Sequence, residues 1–78
     1  MPDSYNGFAF TVPIPRGVGV PGGRRLLVIA KDVHRASEIA RSMMLHSIFL
    51  DAGPKILARA RKLGIRDDDA GIDDGQAS

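Results

Sequence analysis

Residues 32–50 (DVHRASEIARSMMLHSIFL) limit what this chain can fold into, because they form its only long periodic segment and hold much of its apolar mass. At the helical repeat of ~100° per residue, Val33, Ala36, Ile39, Ala40, Met43 and Met44 make one apolar stripe. His34, Arg35, Glu38, Arg41 and Ser42 lie opposite, as on an ordinary surface helix. Asp32 stands where an N-cap is needed, its carboxylate able to accept from the free N–H groups of the first turn. A capping box is missing, since Arg35 occupies the position that Glu or Gln would take. From Leu45 onward the pattern changes: Leu45, Ile48, Phe49 and Leu50 point all round the axis, so that end must be covered on more than one side.

With 78 residues the chain makes one small domain, whose core supplies roughly 3–5 kcal/mol unless something else supports it. There is no cysteine, which excludes disulfides and thiolate metal sites. The opening MPDSYNGF lacks the basic run and apolar block of a signal peptide. The longest nearly apolar run, 43–50, is interrupted by His46 and Ser47 and is too short to span a bilayer. A cytoplasmic location without membrane contact is the expectation. Charge is divided unevenly: residues 1–66 carry all 11 Lys and Arg against four acids, a net +7, while 67–78 carry five acids and no base, a net −5.

Near the start, Phe8, Phe10, Val12 and Ile14 alternate with smaller residues at period two, which predicts a strand with one buried face. Pro13 has no N–H for a ladder and pushes that strand to an edge. Residues 15–23 (PRGVGVPGG) read as a loop. Gly17, Gly19 and Gly22 reproduce the spacing of a dinucleotide-binding turn, but the context is wrong: a strand follows them, where that turn needs a helix whose N-terminus faces the pyrophosphate. In the second strand, 24–30 (RRLLVIA), Leu26, Val28 and Ala30 share one face and Leu27 and Ile29 the other, so it is apolar on both sides. That chemistry separates the chain from ribbon-helix-helix DNA binders, whose ribbon presents polar side chains to the groove.

Beyond Leu50, Asp51 reads as the cap of a second helix, with Gly53 and Pro54 at its start and Gly64 closing it. A rival reading makes 46–50 a strand, at the expense of leaving almost no loop after the first helix. In the second helix Ile56, Leu57, Ala60 and Leu63 form the apolar face. Lys55, Arg59, Lys62 and, if the helix extends, Arg66 line the opposite side, either as a solvated face or as a stripe matched to phosphates or an acidic protein. Aromatic residues do not interleave with it, so base stacking is unsupported. Residues 67–78 (DDDAGIDDGQAS) read as disordered, either a solubilising end or a segment that folds back to screen the stripe.

The ingredients of an active site are poor. His34 and His46 would face ~120° apart on one helix and cannot share a metal. Ser37, Ser42 and Ser47 lack a nucleophile elbow, and paired carboxylates occur only in the acidic end. Neither an enzyme, a cofactor nor a metal is expected. The expected fold is small α+β: a two-stranded antiparallel hairpin (about 8–14 and 24–30) followed by two helices (about 33–50 and 54–63). Residues 1–66 form the single domain and 67–78 an acidic tail. Leu45, Ile48 and Phe49 exceed what so thin a core can cover and mark a partner-binding surface or a homodimer interface. The expected function is a non-enzymatic interaction protein, a small regulator or inhibitor that docks on a larger protein. The alternative is a nucleic-acid-binding module using Arg24, Arg25, Lys55, Arg59, Lys62 and Arg66.

Overall fold

The computed structural model describes residues 4–11, 24–43 and 46–73. Strands β1 (Asn6–Thr11) and β2 (Arg25–Ala30) pair antiparallel, with Phe8 opposite Val28 and Phe10 opposite Leu26. Helix α1 (Val33–Met43) follows, then strand β3 (Phe49–Gly53), helix α2 (Pro54–Lys62) and strand β4 (Asp69–Asp73). The four strands form one antiparallel sheet in the order β3-β1-β2-β4.

The two helices lie on opposite faces of this sheet, and strand periodicity decides which residues each one covers. Phe8, Phe10, Leu26, Val28 and Ala30 pack against Ala36 and Ala40 of α1. Ala9, Leu27 and Ile29 pack against Ala60 of α2, with Ile56, Leu57 and Ile65 around them. Strand β2 is therefore buried on both sides, as its unbroken apolar run predicts. The alanines let the helix backbones come close to the sheet. At Gly7 a Cβ atom would stand 2.1 Å from the backbone nitrogen of Leu57, so only glycine allows α2 its present seat.

This architecture corrects the expectation of a hairpin followed by two helices. The first helix ends at Met43, and Phe49–Gly53 is a strand beside β1, with Phe10 opposite Phe49 and Phe8 opposite Ala52. The rival strand reading erred only in its boundaries. Its loop objection fails because the helix stops at Met43 and the strand does not begin until Phe49. The apolar run at 48–50 thus reflects an edge strand with a bulge at Leu50, where the register against β1 shifts. Asp51 sits within β3, and α2 begins after Gly53 with no side-chain cap. Asp32 does cap α1, accepting from the Arg35 N–H at 2.8 Å.

The second correction concerns the acidic end. Residues 69–73 are not disordered; they form β4, whose Ala70 and Ile72 stand opposite Val28 and Leu26. Their alternation of small apolar and acidic residues supplies one face to the sheet, and the otherwise bare edge of β2 supplies the ladder. The glycine-rich loop at 15–23 and residues 74–78 lie outside the described residues.

Candidate functional site

Two surfaces gather the residues that carry chemistry. The first surrounds β3, which occupies a sheet edge. Ile48, Phe49 and Leu50 are 66%, 46% and 49% exposed, and Met43 at the end of α1 is half exposed. The strand is held through Phe49, whose ring meets that of Phe10 edge-on with centroids 5.7 Å apart. Thr11 completes the anchor: its N–H donates to the Ile48 carbonyl at 2.8 Å and its hydroxyl accepts from the Ile48 N–H at 2.9 Å. Between α1 and β3 lies a pocket of about 170 Å³ lined by Phe10, Ser37, Arg41, Ser47 and Phe49. Its floor is aromatic and its rim is polar with one cation. Of the sequence candidates for this surface, Ile48 and Phe49 fall together on it, and Leu45 lies outside the described residues. Ser37 and Arg41 were missed, because only the packing of α1 on the sheet brings them to the same pocket as Phe49.

The second surface lies under α2 on the other face. Ala9, Leu27 and Ile56 make an apolar floor, and Arg25, Lys55, Arg59 and Asp73 surround it, enclosing about 190 Å³. Asp73 is buried, only 3% exposed. Arg59 grips it with two parallel hydrogen bonds, Nε to Oδ2 at 3.2 Å and Nη2 to Oδ1 at 3.1 Å. Arg25, opposite Asp73 in the ladder, approaches the same carboxylate at 3.9 Å. Arg59 therefore turns toward the sheet and leaves the stripe that helical spacing assigned to it. Lys62 is exposed in the last turn of α2, and Arg66 follows the helix end, so neither lines the cleft. Arg24 is exposed ahead of β2.

The acidic segment meets the basic body at further points. Arg61 pairs with Asp67 at 3.6 Å, and Arg35 of α1 reaches Asp68 at 3.6 Å. Both are exposed contacts of small energetic weight, about 0–1 kcal/mol each, but they share out the positive charge that the sequence alone leaves unopposed. His46 lies in the turn after α1, and His34 stands beside Glu38 on α1 itself, so the two histidines do not share a helix. Among the described residues, no group of three or more His, Asp or Glu side chains is placed to hold a metal ion. No described helix is long and apolar enough to cross a membrane. Compared with protein-family models, curated proteins and solved structures, the chain matches none.

Proposed function

We propose that this protein is a non-enzymatic docking module that receives an extended segment of a larger protein along β3. The observation that carries this reading is the pairing of a sheet edge with half-exposed apolar residues, Ile48, Phe49 and Leu50, next to the pocket under α1. An edge strand offers unpaired N–H and C=O groups, and an incoming strand satisfies them while its alternate side chains fill a neighbouring pocket. The Phe10 and Phe49 rings suit an apolar side chain, and Arg41 with Ser37 and Ser47 suits an acidic or polar neighbour on the same segment. The opposite edge, β4, starts within the acidic run 67–69 and is the less receptive of the two.

A second copy of the chain is a poorer occupant. Self-pairing about the middle of Phe49–Gly53 sets Asp51 against its own counterpart, and like charges directly opposite destabilise a ladder. Nucleic acid is also less favoured, since Arg25, Arg35, Arg59 and Arg61 each face an aspartate of the acidic segment.

The test is a peptide-display selection against the full chain, with bound peptides mapped by amide chemical shifts. The expected peptides are extended and apolar, they shift the amides of residues 48–53, and Ile48→Asp, at the most exposed of the three apolar side chains, weakens them at least tenfold while the protein stays folded. Peptides that map elsewhere, or a dimer in sedimentation equilibrium that Ile48→Asp dissolves, would replace the proposed occupant. Salt-sensitive binding of duplex or single-stranded nucleic acid, lost on charge reversal at Lys55 and Arg59, would establish the alternative.

A further inference from the structure

The cleft beneath α2 has a chemistry of its own, on the face opposite the β3 pocket. Among the described residues its lining holds three cations, Arg25, Lys55 and Arg59, and one carboxylate, Asp73. Asp73 spreads both oxygens across Arg59, which locks that guanidinium in place. It holds Arg25 far less firmly, because 3.9 Å is too long for a hydrogen bond. The Arg25 side chain is half exposed and can swing toward a closer anion. Lys55 is exposed and belongs to no ion pair among the described residues. The first turn of α2 contains no acidic side chain and no side-chain cap, so its positive end adds to the field at Lys55 and Ile56. Below these groups the floor is apolar, formed by Ala9, Leu27 and Ile56.

We infer that this cleft binds a small organic carboxylate, its head between Lys55 and Arg25 and its short apolar stem on Ala9, Leu27 and Ile56. The size is restrictive. About 190 Å³ is below the ~300–1,000 Å³ of pockets that take drug-sized ligands, which suits a head group with a stem of a few heavy atoms. The β3 pocket opens on the α1 face of the sheet and shares no lining residue with this cleft.

The experiment titrates the ¹⁵N-labelled full chain with sodium acetate and sodium butyrate at matched ionic strength, using sodium chloride as the control. Saturable shifts are expected at the amides of Ala9, Leu27 and Ile56, with butyrate binding about tenfold tighter than acetate for its two additional methylene groups. In Lys55→Gln, whose side chain is exposed and whose fold is expected to be unchanged, butyrate affinity drops about tenfold, as for the loss of one charge-assisted contact. Shifts that do not saturate, that chloride reproduces, that saturate at equal concentrations of the two acids, or that keep the parental affinity in Lys55→Gln would each overturn the assignment.

Discussion

Asp73 is the residue at which the charge distribution of the chain is resolved. Burial of a carboxylate is costly unless a partner offsets it, and here Arg59 of α2, on the same face of the sheet, supplies two hydrogen bonds. Asp73→Ala leaves Arg59 partly buried without that partner, and a loss of about 2–3 kcal/mol is expected in urea unfolding. The double variant Asp73→Ala with Arg59→Leu should recover part of this loss, because the uncompensated charge is gone. Strictly additive losses in that cycle would mean the pair is not coupled. Helical spacing places Arg59 with Lys55 and Lys62, yet spacing says nothing about an acid fourteen residues later. At the other end of the scale, Asp32 as the cap of α1 is legible from its neighbours alone, because capping is a local hydrogen bond.

Among the elements, β2 was the most legible and β3 the least. The five consecutive apolar residues of β2 have only one economical arrangement, a strand covered on both faces. The segment 48–53 has no comparable signature: an apolar run, an aspartate and a glycine fit a helix end as well as a bulged edge strand. What decides between them is β1, whose free side needs a ladder partner and whose Phe10 takes Phe49. Seating of α2 depends on β1 as well. Gly7→Ala puts a methyl group into the Ile56–Leu57 backbone, and because backbone cannot move aside as a side chain does, a loss of about 2–3 kcal/mol is expected in thermal or urea unfolding. A Gly7→Ala protein as stable as the parent would show that α2 sits farther from the sheet.

For the whole molecule, the acidic segment is an integral part of the sheet. Removing residues 67–78 strips β4 from β2, uncovers Val28 and Leu26 at the edge, and takes away the carboxylate that Arg59 grips. Against the roughly 3–5 kcal/mol that so small a core supplies, such a loss should abolish cooperative unfolding as followed by circular dichroism. A truncated chain that melts at the parental temperature would return the segment to the status of a solubilising end. The sequence by itself determined the mixed α+β class, the two-faced burial of β2, the amphipathic first turns of α1 and the uneven division of charge, because each follows from local periodicity or composition. Only the tertiary structure decided that the helices lie on opposite faces, that 49–53 and 69–73 complete a four-stranded sheet, and that Arg59 turns inward to Asp73. Those outcomes depend on edges and partners distant in the chain, and no local pattern encodes which free ladder a short, ambiguous segment will join.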